Sequence, residues 1–399
     1  MIRRAHRNLA RCCVAAFVLS VLLPICERAY GSPSRAPNDL KLSGDVPASI
    51  AQASTDRGAV TSASPVWRAF EDFVVGCDNM RECVAVGVPA DREEGIALVV
   101  HRDADGASVS LVAIDSLATV APTLDGRPLR TEGRWAEREG QSGLRFEGDV
   151  GELIEELSNG QSLSQGRRSS HRVSLHGLKA TLLFIDERQG RIDTTSAWVA
   201  KGSKTMAEPV APSAPMLPSV ATPELQEGVA DTLSAYARKM GTGLLNRAAS
   251  EAGLDTCDQP TGDSGGDLVF PLDGKSALVA LQCIGGAYQT SFVTVKIDRA
   301  MKMPPELVEL PGPPGIDWPQ GAARSVITDP DLKNGVLTSM TKGRGLGDCG
   351  ELSQWRYDGM NFQLAWHARL DRCGGVLPDD WPVLWKAGNP DIKALEEFL

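Results

Sequence analysis

Histidine is scarce in this 399-residue chain, and none of the five copies stands at the His-x-x-x-His or His-Glu-x-x-His spacing that a catalytic metal needs. No two cysteines have the two-residue gap of a zinc site, so no metal and no cofactor is expected. There is no lysine- or arginine-rich run, and the net charge is −10, a balance that nucleic acid and anionic membrane surfaces repel. Nucleic-acid binding is therefore not expected. Beyond residue 31 no stretch is long and apolar enough for a membrane span, which takes about 20 residues. A repeat at solenoid period and a glycine-rich strand-to-helix unit are also missing, which removes the repeat and dinucleotide-binding architectures.

What is present begins with an export signal. Arg3, Arg4, Arg7 and Arg11 precede the apolar stretch Cys12–Ile25, which is too short to span a bilayer comfortably. Ala29 and Gly31 then offer small residues to a signal peptidase, predicting cleavage before Ser32 and a periplasmic location. Cys26 is a poor lipid-anchor site because Ile25 before it is bulky. The twin arginines lack the rest of a folded-export signal.

Six cysteines follow this signal: Cys77, Cys83, Cys257, Cys283, Cys349 and Cys373. An even count behind an export signal reads as a disulfide framework in an oxidising compartment. They fall into three groups of two, and pairing within each group closes the shortest loops. On a chain-entropy model the Cys77–Cys83 loop would contribute about 2.4 kcal/mol and each longer loop about 3.5 kcal/mol. Fifteen connectivities exist, so proximity alone does not decide between them.

Composition divides the chain. Residues 32–64 are small and polar without a sustained period, a flexible leader, and residues 207–222 form a proline-rich spacer. Between and beyond lie two regions, 65–206 and 223–399, each large enough for its own core. In the first, strands flank Asp105-Gly106, a turn where glycine accepts positive φ. Val150, Leu153, Ile154 and Leu157 recur at helical spacing, as do Leu178, Leu182 and Ile185, with Gly190 placed to end the second helix. The second region opens with a helix capped by Thr222 and started by Pro223, with Val229, Leu233, Tyr236, Met240 and Leu244 on its apolar face. Hairpins at Asp273-Gly274 and Asp358-Gly359 follow, with Trp355 and Tyr357 before the latter and Phe362, Leu364 and Trp366 after it. The expected fold is α+β and strand-dominated: two disulfide-containing domains of antiparallel sheet with a few helices.

Gly262-Asp263-Ser264-Gly265-Gly266 matches the surroundings of a trypsin-like nucleophile and the looser G-x-S-x-G of α/β-hydrolases. Either chemistry needs a histidine to take the serine proton. His101, His171 and His176 lack a protease-like setting, and the serine precedes a strand rather than opening a helix. The loop reads better as a surface turn, with no catalytic residue assigned. Asp103-Ala104-Asp105-Gly106 shares letters with a calcium loop but lacks its later glutamate. Asp379-Asp380 are adjacent acids beside a proline, a pattern that is usually solvated. Trp318, Trp355, Trp366, Trp381 and Trp385 crowd the last 82 residues. Trp355, Trp366, Trp381 and Trp385 are candidates for an aromatic platform, and core filling is the competing use.

The segments WRAFEDFVVGCDNMRECVAVGVP, HGLKATLLFIDERQGRIDT, LQCIGGAYQT, TKGRGLGDCGELSQWRYDGMNFQL and DRCGGVLPDDWPVLWKA resemble an exported bacterial family known as domain of unknown function 1176. The resemblance runs from Trp67 to Ala387 and includes all six cysteines. Gln289 stands where the family pattern leads one to expect asparagine, and the 262–266 loop is foreign to it. More loosely, the first region is similar to invasion-associated locus B proteins. The resemblance implies a Gram-negative periplasmic protein and supplies no activity. The leading expectation is a non-catalytic protein that binds a macromolecular or envelope partner. A serine hydrolase using Ser264 and a glycan or small-molecule binder using the tryptophan-rich end are the alternatives.

Overall fold

The computed structural model describes residues 64–395, apart from 89–94, 115–116, 118–119, 140, 167–170, 206–211, 255–256, 258–265, 317–324 and 394. The export signal, residues 32–63 of the leader and Ser264 thus lie outside the described residues. Among the described residues the fold is strand-dominated, with antiparallel sheets, three α-helices and three disulfides.

The first sheet has seven strands, in the order Val66–Phe70, Phe73–Cys77, Cys83–Gly87, Ala97–Arg102, Ala107–Val112, Leu144–Gly148 and Gly133–Glu137. Its central strands, such as FVVGC and ALVVHR, are apolar on both faces, the pattern of strands covered on both sides. One face (Phe73, Val75, Leu98, Val100, Val109, Leu111) packs on helices α1 (Val150–Leu157) and α2 (Leu178–Arg188). Asp149 caps α1 by accepting from Glu152 N at 3.0 Å. Before α2, Gly177 has φ 91°, and a Cβ there would lie 2.1 Å from Phe70 O, so only glycine fits. Gly190, at φ 67°, takes the left-handed turn after α2, as its placement in the sequence suggests.

Much of the other face of this sheet is covered as well. Val74, Val86, Ala97, Val99 and Val112 share a core with Leu352, Trp366, Ala368 and Leu370 of the C-terminal sheet and with Val376 and Trp381 of the connection before its last strand. That sheet orders Asp331–Lys333, Val336–Lys342, Gly350–Tyr357, Phe362–Leu370 and Val383–Lys386. At Gly76 the approach is so tight that a Cβ would stand 2.7 Å from both Pro382 Cβ and Leu384 Cδ2. The far side of the C-terminal sheet (Leu337, Trp355, Tyr357, Phe362, Leu364) packs on Leu272 and Leu278 of a third sheet. That sheet is built on Leu268–Pro271, Ser276–Gly285 and Thr290–Asp298 and is backed by α3 (Val229–Glu251).

Three local features differ from the sequence reading. Helix α3 starts at Val229 rather than Pro223, because Gly228 at φ 77° breaks the helical path. Its buried face is Leu233, Ala237, Gly241, Leu245 and Ala248, not the Tyr236–Met240 stripe. Small residues let the helix lie close to the sheet, and Met240 is left 51% exposed. Along Phe362–Leu370 the ladder pairs Trp355 with Leu364 but Gln354 with Trp366, so Ala365 is an extra residue. The bulge flips side-chain parity, and Trp366 faces the opposite side from Phe362 and Leu364. At the 103–106 turn Gly106 is not in the left-handed region. Asp103 Oδ1 holds the turn by accepting from Asp105 N at 2.8 Å and Gly106 N at 2.5 Å.

The described part of the proline-rich segment, 212–222, lies on the C-terminal region. Gly388 N donates to Pro215 O at 2.9 Å, and the Asn389 amide exchanges two 3.0 Å hydrogen bonds with the Leu217 backbone.

Candidate functional site

Where the first sheet and the strand Val383–Lys386 come together, they leave a cleft of about 240 Å³. One side is the loop 78–82, closed by the Cys77–Cys83 disulfide between directly opposed ladder residues. Asp78 Oδ1 organises this loop by accepting from Met80 N at 2.8 Å and Glu82 N at 2.9 Å. Asn79 then grips the backbone of Lys386: its Nδ2 donates to Lys386 O at 2.9 Å, and its Oδ1 accepts from Lys386 N at 2.8 Å. The Lys386 ammonium lies 3.2 Å from Asp78 Oδ2 and contacts Glu82. His101 Nε2 is 3.8 Å from Glu82 Oε2.

The opposite side carries Arg138, whose guanidinium makes a two-pronged pair with Asp380 at 2.7 and 2.8 Å. Both side chains are nearly buried, at 8% and 12% exposure, so Asp380 is not solvated as its sequence setting suggests. Asp379 is the exposed one of the two acids. Arg145 is exposed and donates to Ser108 Oγ at 3.3 Å. Val84, Val99, Trp381 and Val383 supply the apolar wall.

Burial separates the acids. It raises Asp78, against the pull of Lys386. Glu82 instead is held down to about 2 by His101 and then Lys386, which together outweigh its burial. Burial works to lower Lys386, but the Asp78 and Glu82 carboxylates raise it. Asp380 is raised, its burial outweighing Arg138.

Asp379 also lines a neighbouring hollow of about 520 Å³ beneath the glycine-rich loop 343–348. Asp348 anchors this loop from inside. Its carboxylate takes Arg344 Nε at 2.7 Å, Gly374 N at 3.0 Å and Gly375 N at 2.7 Å, and these donors hold it below its usual range despite burial. The Cys349–Cys373 disulfide adjoins it, and Gln289 Oε1 accepts from Lys342 N at 2.8 Å. Held this way, the loop presents Leu346 at 47% exposure, beside Tyr288 at 49% and Leu377 at 37%.

The structure closes all six cysteines in disulfides, Cys77–Cys83, Cys257–Cys283 and Cys349–Cys373. Among the described residues, three metal-type donors converge at Asp348, Cys349 and Cys373, but both sulfurs are in a disulfide and the carboxylate is occupied. Trp355, Trp366 and Trp381 are buried and Trp385 half-buried. Three of the indole N–H groups are taken by backbone carbonyls, Trp355 by Pro311, Trp381 by Val376 and Trp385 by Leu364. They are divided between two core layers, and Trp381 alone of the four reaches the cleft. Ser353 and His367 pair at 2.8 Å on neighbouring strands, sealed in the interior. Burial, with Arg369, pushes the imidazole down to about 3.

A family model described as "Protein of unknown function (DUF1176)" matches residues 67–388. The chain belongs to the DUF1176 family. It is also similar to the "Uncharacterized protein YpfG" of Escherichia coli (strain K12), 29% identical over 342 residues, covering 81% of this chain and 93% of the relative. No solved structure matches. All residues of the cleft and the hollow lie inside the span matched to DUF1176.

Sequence reasoning missed most of the cleft. One signal was available: CDNMREC packs three charged side chains into five residues between two cysteines, more than a plain hairpin turn requires. Nothing local marks Arg138, Arg145 or Lys386.

Proposed function

We propose that this is an exported, periplasmic, non-catalytic protein that docks a macromolecular or envelope partner on the glycine-rich loop. The observation carrying this reading is the display of Leu346, Tyr288 and Leu377 by a loop fastened with a disulfide and a buried carboxylate. Apolar side chains grouped on a surface mark interaction sites, and a fixed backbone lowers the ordering cost of binding. Three disulfides suit an oxidising compartment. Among the described residues no helix is long and apolar enough to cross a membrane. The cleft favours binding over catalysis: its carboxylates face cations rather than forming a nucleophile–base pair. The looser likeness of the first region to invasion-associated locus B proteins agrees with an envelope role.

The test is in-cell photo-crosslinking. A photoreactive residue at Leu346 should give a discrete adduct in the osmotic-shock fraction. One at Met216, 71% exposed on the proline-rich segment, should give none. Identical patterns at the two positions, or no adduct at Leu346, would remove the reading.

A further inference from the structure

Cys77, Cys83, Cys257, Cys283, Cys349 and Cys373 are all closed in disulfides, so the soft sulfur left on the described surface is methionine thioether. Met240, Met301 and Met303 are three exposed copies that the fold brings to one flank of α3. Tyr236, Met240, Leu244 and Arg247 recur at spacings of four, four and three residues, which lines them up beside the buried face of that helix. At one end of the line the Tyr236 hydroxyl donates to Met303 O at 3.0 Å. Two turns on, Leu244 and Arg247 border a hollow of about 430 Å³ with Glu306 and Leu307. The helix therefore runs beside the segment 303–307 in the same direction. Eight helical residues advance about 12 Å and three to four extended residues about 10–13 Å, so the two tracks keep pace. Met240, midway along the line, stands beside this segment. Helical side chains lean toward the helix N-terminus, which carries its thioether back toward Tyr236 and Met303.

The stretch bearing Met301 and Met303 is fixed at both ends. Asp298, which ends the strand Thr290–Asp298, accepts from Met301 N at 2.8 Å through its carbonyl. Its carboxylate accepts from Ala300 N and Lys302 N, each at 3.1 Å, and brings a negative charge beside the exposed Lys302. On the other side Pro305 is buried, and Glu306 and Leu307 pair with Lys296 and Val295. Met301 itself has φ 55°, and among the described residues it is the one apolar residue other than glycine with positive φ. A bulky side chain in the left-handed region is strained, and strain of this kind gathers at ligand-binding positions.

Thioether sulfur is soft, polarisable and uncharged, a donor that selects monovalent copper over the hard divalent ions held by carboxylates. From this juxtaposition we propose that Met240, Met301 and Met303 form a thioether site for a soft monovalent cation of the copper(I) class. The site shares no residue with the glycine-rich loop, so it and the partner surface can fail independently.

Silver(I) is the probe, because it has the same taste for thioethers and needs no reductant that would attack the disulfides. The full mature chain, isotope-labelled at its methionine methyls, is titrated with silver nitrate in chloride-free buffer and followed by NMR. One silver ion per chain should bind, moving the methyl signals of Met240, Met301 and Met303. The signal of Met216, more exposed than any of the three, should stay in place. Met240→Leu and Met303→Leu, surface changes of similar size, should each keep the parent Tm and weaken silver at least tenfold, whereas Met216→Leu should leave the affinity unchanged. Silver bound with the three methyls unmoved, as ligation by histidine would give, would overturn the assignment. So would absence of binding at micromolar silver, equal movement of Met216, or full affinity in either variant.

Discussion

At the scale of single residues, His367 carries the clearest pH dependence. Its imidazole is 2% exposed, pairs with Ser353, and is pushed down to about 3, so it stays neutral in the folded protein. The unfolded chain takes up that proton below about 6.5. Stability is therefore full above pH 6.5 and falls as pH drops, by about 1.4 kcal/mol per unit at most. Between pH 6.5 and 5 the loss should reach about 2 kcal/mol. Glu82 acts lower down: held at about 2, its contribution is present above about 4.5 and is lost as pH falls from there toward 2. Asp78, Glu351 and Asp380, raised by burial, take up protons earlier in the folded state than in the unfolded chain and so work against this loss. The comparison with a His367 variant isolates the imidazole. Denaturant titrations at several pH values should show this slope in the parent and a flatter one in His367→Gln. Equal slopes would mean that the imidazole is not held neutral.

At the scale of elements, what was legible was local. The turns at 105–106, 273–274 and 358–359 join paired strands, and α1 lies where Val150, Leu153, Ile154 and Leu157 recur. Helix α3 was legible in existence but not in orientation. The stripe of large residues points at the core by sequence, yet Ala237 and Gly241 face the sheet, because helix-to-sheet distance is a property of the pair and not of the helix. The bulge at Ala365 was hidden for the same reason: an unbroken alternation of apolar residues cannot show which partner it slips against. Substitution separates the two readings of α3. Met240→Glu should stay within about 0.5 kcal/mol of the parent, as surface changes do. Ala237→Leu should cost about 1–3 kcal/mol by overpacking against the sheet. Urea midpoints in the reverse order would restore the sequence-based face.

At the scale of the whole molecule, the cleft exists because segments far apart in sequence converge. Asn79 and Lys386 are 307 residues apart and exchange two hydrogen bonds, a relation that no local pattern encodes. The first sheet and the C-terminal sheet hold this geometry through their shared core, with Gly76 allowing the close approach of Pro382 and Leu384. Val74, Val86, Ala97, Val99 and Val112 would all face water if the two parted. At about 1.5–3 kcal/mol for each large apolar side chain fully buried, that is a strong association. The direct measurement uses a site-specific protease sequence placed between Met206 and Pro212, followed by cleavage and gel filtration in native buffer. The two fragments should elute together at the position of the uncut chain and part only in denaturant. Two separately eluting, folded fragments would contradict the shared core and, with it, the cleft.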